Sequence, residues 1–247
     1  MKAMIFAAGL GSRLKPLTDK KPKALIEIAG KPMLYWVVEK LINHGFDRIV
    51  INIHHHAGIL KEAIKNLPFN VEIIISNEEN CLLDTGGGLL KAKPWLDGDK
   101  PFLVHNVDII SNINLKELYS YHLGHGGIAT LATTKRESDR CFLWDKNKLA
   151  GWENTSTGEK ILVRDAKGTP QKKAFSGIHV INPEIFKYIK DTGKFSLNKV
   201  YLDLANEKDI FSWEHDHKYW FDLGTVEKIK KAENSIKQNP EIFLSDK

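Results

Sequence analysis

A glycine-rich segment near the amino terminus carries residue types that can hold phosphate groups. Residues 7–18 include Gly9, Gly11 and Arg13, and Lys23 follows ten residues after that arginine. Glycines allow backbone N–H groups to approach phosphate oxygens closely, and successive N–H groups form a concave anion-binding surface. An arginine and a lysine beside such a surface suit a nucleoside triphosphate that must release pyrophosphate.

The spacing of these glycines disfavours two other phosphate-binding patterns. The NAD fingerprint has a third glycine at the position that Leu14 occupies, and the P-loop pattern with its lysine is missing from the segment. An oxidoreductase that uses a dinucleotide cofactor is therefore disfavoured. A tight strand-to-helix turn without a ligand accounts equally well for the glycines alone, but Arg13 and Lys23 together favour a phosphate site.

Two aspartates follow predicted strands. Asp108 comes directly after the apolar run 102–107, and Asp222 follows residues 219–221 and precedes Gly224. Active sites of α/β proteins lie at the carboxyl ends of strands, and carboxylates together with phosphates are the ligands that Mg²⁺ takes. Each aspartate taken alone could instead begin a turn or a helix. Two of them at strand ends form a plausible clamp for one ion.

The elements that must position these residues alternate between strand and helix in the first half. Apolar runs predict strands at 1–6, 48–53, 71–76 and 102–107. Helical spacing of apolar residues follows Pro32, and further helices are predicted around 60–67, 85–93 and 115–122. The alternation predicts an α/β fold, a mostly parallel sheet covered by helices on both faces.

The second half is predicted to contain more strands and fewer helices. Strands are expected at 128–134, 141–144, 149–153, 172–181, 210–214 and 219–221, and Thr225 is expected to cap a last helix. The sequence contains no internal repeat and no low-complexity linker. A single domain over residues 1–247 is therefore the simplest interpretation.

Composition and cysteine content favour a cytoplasmic globular protein. The net charge of +5 is spread along the chain, so an anionic small molecule explains it as well as a nucleic acid does. The two cysteines, Cys81 and Cys141, have no metal-binding spacing and indicate reduced thiols. No apolar run is long enough to span a bilayer. We expect no nucleic-acid or membrane partner, and a monomer or a small homo-oligomer.

The segment 7–25 resembles the entry motif of the sugar-1-phosphate nucleotidyltransferases, or NDP-sugar pyrophosphorylases. The matching positions are Ala8, Gly9, Gly11, Ser12, Arg13, Leu14, Pro16, Leu17, Thr18, Pro22, Lys23 and Leu25. The resemblance implies a three-layer, Rossmann-like fold, with a nucleotide-binding half at 1–110 and a sugar-binding half at 111–247. It also implies a nucleoside triphosphate and a sugar 1-phosphate as substrates, and Mg²⁺ as cofactor.

The same resemblance implies a role for each candidate site residue. Arg13 and Lys23 would be catalytic, and Asp108 and Asp222 would be the metal ligands. The nucleotide would be bound by Ala7, Ala8, Gly9, Gly11, Ser12, Arg13, Glu78, Thr85, Gly86 and Gly87. The sugar would be bound by Asn106, Glu153, Ser176 and Gly177. The chain has Asn154 where many members have a lysine after the sugar-binding glutamate, so the resemblance leaves the sugar open.

The short length and the loop that begins at Thr85 are most similar to members that uridylylate N-acetylmuramate 1-phosphate. Members that guanylylate mannose 1-phosphate come next, so uridine or guanosine is the expected base. Phosphocholine cytidylyltransferases share the entry motif and remain an alternative. A protein that binds nucleotide sugars without catalysis is the alternative from another class.

Overall fold

The computed structural model describes residues 1–165, 168–216 and 218–244. The described chain contains fourteen strands. Their bounds are β1 (Lys2–Phe6), β2 (Glu27–Ile28), β3 (Lys31–Pro32), β4 (Arg48–Ile53), β5 (Glu72–Asn77), β6 (Phe102–Asn106), β7 (Ile109–Ser111), β8 (Ala129–Thr134), β9 (Arg140–Asp145), β10 (Lys148–Asn154), β11 (Glu159–Leu162), β12 (Gln171–Ile181), β13 (Ile210–Glu214) and β14 (Trp220–Asp222).

Eight α-helices are described between and after these strands. Their bounds are α1 (Met33–Asn43), α2 (Ala57–Lys65), α3 (Asp84–Lys91), α4 (Lys93–Leu96), α5 (Leu115–Leu123), α6 (Leu197–Leu204), α7 (Val226–Gln238) and α8 (Pro240–Leu244). Pro32 precedes α1, and the Thr225 hydroxyl accepts a hydrogen bond from the N–H of Lys228 at the start of α7, as predicted. Within the described residues, no helix is both long and apolar enough to cross a membrane.

The strands of the first half form a parallel sheet in the order β5-β4-β1-β6. Met4 of β1 lies opposite Val50 of β4 and Val104 of β6. Alternate side chains of β1 enter different cores, because Ala3 and Ile5 pack on one face and Met4 packs on the other. A strand that is buried on both faces has a nearly continuous run of apolar residues, which is why β1 could be predicted from the sequence.

Helices cover both faces of the sheet and complete three layers. Side chains of α1, α2, α5 and α7 pack in the core that contains Ile5, and side chains of α3, α4 and α6 pack in the core that contains Met4. The predicted α/β class is confirmed. The parallel strands place the loop after β1 and the turn after β6 at the same edge of the sheet.

The strands of the second half close a ring. The pairs β8–β12, β12–β9, β9–β10, β10–β13 and β13–β8 return to the starting strand, so that five strands form a small barrel. β12 is long enough to pair with β8 and β6 along its last residues and with β9 along its first. Its pairing with β8 is irregular between Phe175 and His179, and Gly177 in this interval has a φ of +76°.

The finer prediction of a mostly parallel sheet is not confirmed. Among the described strands of the main sheet, four ladders are parallel and six are antiparallel. Strands joined by short connections must run antiparallel, and only Lys146 and Asn147 lie between β9 and β10. The second half of the chain therefore departs from the parallel pattern that the first half predicts.

Candidate active site

The loop after β1 is held in a compact shape by contacts with two later segments. The N–H of Ala7 donates a hydrogen bond to Oδ1 of Asn52 at 2.7 Å, and the Thr18 hydroxyl donates to the carbonyl of Gly11 at 2.9 Å. Gly11 has a φ of +65°, and a Cβ there would lie 2.9 Å from Cγ2 of Thr18 and 3.1 Å from Cβ of Lys23. Glycine is therefore required for this fold of the loop.

Ser12 and Arg13 lie in a short 3₁₀ turn and are exposed, whereas the neighbouring Leu14 is fully buried and anchors the turn. The guanidinium of Arg13 reaches the end of β14. A Cβ built on Gly224 would lie 2.9 Å from Nη2 of Arg13 and 3.1 Å from Oδ1 of Asp222. The structure thus places Arg13 beside the second predicted metal ligand.

Each of the two predicted metal-ligand carboxylates carries a lysine partner. Lys23 forms an ion pair with Oδ2 of Asp108, and both side chains are mostly shielded from solvent. Lys228 forms an ion pair with Oδ2 of Asp222 at 2.8 Å, in a more exposed position. The carboxylates of Asp108 and Asp222 therefore each lie beside a positively charged group.

A small antiparallel ladder brings Asp108 and Asp222 to the same place. β14 pairs with β7, with Asp222 opposite Ile109, and the N–H of Leu223 donates to the carbonyl of Asp108 at 2.8 Å. Three segments that are far apart in the sequence, at Arg13–Lys23, Asp108 and Asp222, therefore converge. No group of three or more histidine, cysteine, aspartate or glutamate side chains arranged to hold a metal occurs among the described residues.

A buried polar network behind the loop after β1 involves a residue that the sequence analysis missed. Asn52 of β4 accepts from Ala7, and its Nδ2 donates to Oε1 of Glu78 at 2.7 Å. The N–H of Leu83 donates to the other Glu78 oxygen at 3.2 Å. Burial raises the pKa of Glu78, and the two hydrogen bonds oppose that shift. The signal for Asn52 was a polar residue inside the apolar run of β4.

The residues Thr85, Gly86 and Gly87 form the first turn of α3 and pack against the segment before α6. The N–H of Gly86 donates to the carbonyl of Phe195 at 2.9 Å, and the Thr85 hydroxyl accepts from the N–H of Leu197 at 2.9 Å. A Cβ on Gly87 would overlap the carbonyl oxygen of Gly193. These glycines permit a close approach of protein backbone; their contact with a nucleotide stays a prediction.

A cavity of about 300 Å³ lies between the loop after β1 and the start of α3. Three of its lining residues were predicted to bind the nucleotide: Ala8, Gly9 and Thr85. Asn52 and Lys194 also line it, and the sequence analysis predicted neither of them as a site residue. The volume and the mixed apolar and polar lining suit a nucleoside.

Three of the four predicted sugar-binding residues come together near the end of β6. A Cβ on Gly177 would lie 3.0 Å from Nδ2 of Asn106, so these two residues are adjacent across the β12–β6 seam. Ser176 is fully buried: its hydroxyl lies 2.7 Å from Nε2 of His215, and its carbonyl accepts from Nε1 of Trp220 at 2.9 Å. This cluster adjoins the strand that ends in Asp222.

The fourth predicted sugar-binding residue, Glu153, lies on β10 of the barrel. Its carboxylate forms an ion pair with Lys172, and the side chain is largely buried. The residue after it, Asn154, lines a cavity of about 790 Å³ that also contains Arg13, Asp222 and Lys228, hereafter the catalytic cavity. The structure thus joins the phosphate loop and the barrel through one continuous space.

A second cavity of about 660 Å³, hereafter the apolar cavity, lies on the barrel. Its walls include Phe142, Trp152 and Phe175, and it shares Arg136, Ser138 and Arg140 with the catalytic cavity. Sequence analysis did not predict Arg136 as a site residue, because it lies in a connection between strands without a recognisable motif.

Comparison with known proteins agrees with this geometry. The family model described as Nucleotidyl transferase matches residues 2–239, nearly the whole described chain. The chain belongs to this family, and the sequence-based assignment to the sugar-1-phosphate nucleotidyltransferases is confirmed. It is therefore an enzyme of nucleotidyl transfer.

Two similar relatives act on different sugars. The N-acetylmuramate alpha-1-phosphate uridylyltransferase of Neisseria meningitidis serogroup B is 31% identical over 242 residues, which cover 94% of this chain and 97% of that enzyme. The mannose-1-phosphate guanyltransferase of Schizosaccharomyces pombe is 31% identical over 227 residues, which cover 91% of this chain and 61% of that enzyme.

Solved structures share the fold at low sequence identity. The UDP-glucose pyrophosphorylase from Acinetobacter baumanii superposes with a TM-score of 0.77 at 16% identity, covering 98% of this chain and 95% of that one. HddC from Yersinia pseudotuberculosis has a TM-score of 0.73 at 24% identity, covering 95% and 99% of the two chains. Both likenesses establish the architecture alone.

Proposed function

We propose that this protein transfers a nucleotidyl group from a nucleoside triphosphate to a sugar 1-phosphate, releasing pyrophosphate and forming a nucleoside diphosphate sugar. The observation that carries the proposal is the convergence of Arg13, the Lys23–Asp108 ion pair and Asp222 at one edge of the sheet. The site combines groups for a departing anion with groups for a divalent cation.

The reaction needs positioning and charge neutralisation more than proton transfer. The second pKa of a phosphate monoester is about 6, so the acceptor is already largely a dianion at pH 7. One of its oxygens attacks the α-phosphorus, the bond from that phosphorus to the bridging oxygen of the β-phosphate breaks, and pyrophosphate leaves with the electron pair. No side chain has to act as a base, and preorganised charges supply the rate enhancement.

The roles of the cationic side chains follow from their positions. Arg13 is exposed on the loop after β1 and can hold the β- and γ-phosphates that leave. Lys23 is more shielded and is held by Asp108. In the proposed reaction, its ammonium group would meet the negative charge that develops at the α-phosphate. Gly11 supports both roles because the absence of a side chain there lets Lys23 lie close to the loop.

The pair Asp108 and Asp222 fits a hard divalent cation. Mg²⁺ is commonly bound by one or two carboxylates, with substrate phosphates and water completing the coordination, so two aspartates are a sufficient protein ligand set. When bound, Mg²⁺ would neutralise charge on the phosphate oxygens and help to orient them. The lysine partners of both carboxylates support this assignment, since each position already accommodates a cation.

The names of the relatives support uridine or guanosine as the base and N-acetylmuramate or mannose as the sugar. The experiment is a matrix of pyrophosphate release. ATP, GTP, CTP, UTP and dTTP are each combined with a panel of sugar 1-phosphates and with phosphocholine, in the presence of Mg²⁺. We expect the fastest release from UTP or GTP with a sugar 1-phosphate.

Two outcomes of the matrix would contradict the proposal. Fastest turnover of CTP with phosphocholine would show that the acceptor is not a sugar. Tight binding of nucleotide sugars without pyrophosphate release from any pair would show a binding protein without catalysis. Omission of Mg²⁺ should abolish turnover, and restoration by added Mg²⁺ tests the cofactor directly.

A further inference from the structure

The proposed reaction brings two anions together, the nucleoside triphosphate and the phosphate dianion of the acceptor. Arg13 is proposed to hold the leaving β- and γ-phosphates, and Lys23 is proposed to meet the α-phosphate. The acceptor dianion approaches the same α-phosphorus, and the two anions repel each other unless a cation compensates their charge. The catalytic cavity should therefore contain a further cationic group for the acceptor phosphate.

Four cationic and three acidic side chains line the catalytic cavity: Arg13, Arg136, Arg140, Lys228, Glu137, Asp139 and Asp222. In the segment 136–140, two acidic residues lie between two arginines, so the charges of this segment balance in number. The remaining three charges belong to Arg13, Lys228 and Asp222. The excess positive charge of the cavity therefore lies around Asp222.

Lys228 is the cation in closest contact with this carboxylate. Its Nζ lies 2.8 Å from Oδ2 of Asp222, and among the described cations that line the cavity only Lys228 forms an ion pair with Asp222. Arg136 is oriented by neutral groups instead, because its Nη2 donates to the carbonyl of Phe175 at 3.2 Å and its Cζ lies 4.4 Å from the ring centroid of Trp220. Lys228 is thus the cation placed at the reacting edge without an assigned role.

Arg13 and Lys228 approach different oxygens of Asp222. A Cβ on Gly224 would lie 2.9 Å from Nη2 of Arg13 and 3.1 Å from Oδ1 of Asp222, whereas Lys228 contacts Oδ2. In phosphoryl and nucleotidyl transfer, the attacking and leaving oxygens lie roughly in line on opposite sides of the phosphorus. If Arg13 holds the leaving phosphates, Lys228 is placed to hold the phosphate that attacks.

Helix stability does not account for a lysine at this position. Lys228 lies in the first turn of α7, where the helix dipole disfavours a cation. Its ion pair joins side chains that are 48% and 26% exposed, and such pairs contribute little to folding. The Thr225 cap and the buried Ile229 fix the backbone of this turn without the ammonium group. A ligand explains the position of Lys228 better than folding does.

We propose that Lys228 binds the phosphate of the acceptor, with its ammonium group leaving Asp222 and donating to a phosphate oxygen of the sugar 1-phosphate that does not attack. This inference rests on the proposed function. The flexible four-carbon stem of lysine allows such an exchange of anionic partners. The exchange leaves the carboxylate of Asp222 available to the proposed cation site, and in the absence of acceptor the same lysine keeps that carboxylate neutralised.

The test separates the acceptor from the other phosphate-bearing ligands. The proteins are the wild type, Lys228→Gln, Lys228→Arg and the control Lys231→Gln, whose residue is exposed on the same helix and does not line the catalytic cavity. Pyrophosphate release gives the KM for the acceptor and for the triphosphate, and the reverse reaction gives the KM for pyrophosphate. The acceptor is the sugar 1-phosphate with the fastest release, or mannose 1-phosphate if none is turned over.

Titration calorimetry measures the binding of the same acceptor without turnover. The enzyme is first saturated with Mg²⁺ and with the analogue of UTP or GTP in which a methylene group replaces the oxygen between the α- and β-phosphates. This analogue cannot release pyrophosphate, so the measured Kd contains no chemical step. A role of Lys228 in acceptor binding then appears even where the rate is limited by another step.

We expect Lys228→Gln to raise both the KM and the Kd for the acceptor by about 10- to 100-fold, the loss expected for one charge-assisted hydrogen bond. The KM values for the triphosphate and for pyrophosphate should change by less than about threefold, because these ligands make no such bond with Lys228. Lys228→Arg should restore the Kd for the acceptor to within about fivefold of the wild type, because it keeps the charge. Lys231→Gln should leave all values unchanged, although it removes the same charge.

The inference is overturned if Lys228→Gln weakens the acceptor, the triphosphate and pyrophosphate to the same extent. It is also overturned if the variant alters only the Mg²⁺ concentration that gives half of the maximal rate, because Lys228 would then merely neutralise Asp222. Lysine-dependent binding of the sugar 1-phosphate without pyrophosphate release would support the inference and contradict the proposed function. Normal release by the wild type, with equal acceptor affinity in Lys228→Gln, would support the proposed function and contradict the inference.

Discussion

The two halves of this molecule build their parts of the site by different means. In the parallel region, backbone geometry and a buried network at Asn52 and Glu78 shape the loop after β1 and the cavity of about 300 Å³ beside it. In the barrel, charged side chains such as Arg136 lie in cavities of larger volume. The first region is fixed by burial, whereas the second presents charged side chains from its strands and their connections to the cavities.

This difference indicates how one family can keep a reaction and change its acceptor. Groups proposed to meet the phosphates depend on close backbone contacts, as at Gly11, where a side chain would collide with Thr18. Groups proposed to meet the sugar depend on side chains that project from the barrel. Substitutions in the first region should therefore affect every substrate, and substitutions in the second should discriminate among acceptors.

The largest effect is expected where the two regions meet. Asp108→Asn should lower kcat by at least about 1000-fold with every acceptor, because it removes a charge from the proposed cation site and the partner of Lys23. Steady-state pyrophosphate release measures the loss. Asp99→Asn, an exposed aspartate in the connection before β6, is the matched control and should be indistinguishable from wild type. Full turnover by Asp108→Asn would remove this residue from the metal role.

Lys23→Ala tests whether the phosphate region acts on the transition state or only on binding. We expect kcat to fall by about 100-fold while the KM for the nucleotide changes much less, because the ammonium group meets charge that develops during transfer. Lys20→Ala, in the same segment and exposed, serves as control. A change confined to the KM for the nucleotide would show that Lys23 binds the nucleotide without stabilising the transition state.

The strands of the parallel region could be predicted from the sequence because their signals are local. Gly11, Arg13 and Lys23 lie in one segment, and each strand of the parallel sheet is a mainly apolar run. The ring of five strands could not be predicted, because the sequence of a strand does not show which strand it pairs with. β13, for example, pairs in parallel with β8, although most of the second half of the chain lies between them in the sequence. Asp108 and Asp222 were predicted as a pair of ligands for one ion, but the ladder that brings them together also needs β7, a three-residue strand that the sequence analysis did not predict.

Gly87→Ala tests how closely the parallel region is fitted to the segment before α6. The new Cβ would overlap the carbonyl oxygen of Gly193, so we expect a loss of about 1–3 kcal/mol in the free energy of unfolding. Gly58→Ala, inside α2 with open space around it, should instead stabilise the protein by about 0.4–1 kcal/mol. Urea unfolding measures both; equal stability of the two variants would contradict the close fit.

The seam between the two regions should weaken in acid. His105 on β6 and His179 on β12 are almost fully buried, and burial lowers the pKa of each to about 3. Unfolded histidine has a pKa near 6.5, so this stability is complete above that pH and is lost as the pH falls towards 3. We expect a loss of about 1.4 kcal/mol per pH unit for each histidine in this interval.

Urea unfolding between pH 7 and pH 4.5 measures this slope. His179→Gln removes one of the two histidines at the seam. It should lower the slope of unfolding free energy against pH by about 1.4 kcal/mol per pH unit, whatever its effect on stability at pH 7. If the free energy of unfolding changes with pH equally in the variant and in the wild type, His179 does not contribute to the loss of stability in acid.

The pairing of β7 with β14 also determines when the enzyme becomes competent during its synthesis. Translation delivers the loop after β1 and all strands of the parallel sheet first, with Asp108 and Lys23 already present. Asp222 reaches its place only after all five barrel strands have emerged, because it belongs to β14, which follows them in the chain. A growing chain on the ribosome therefore holds Asp108 without Asp222, and the proposed cation site is completed among the last steps of folding.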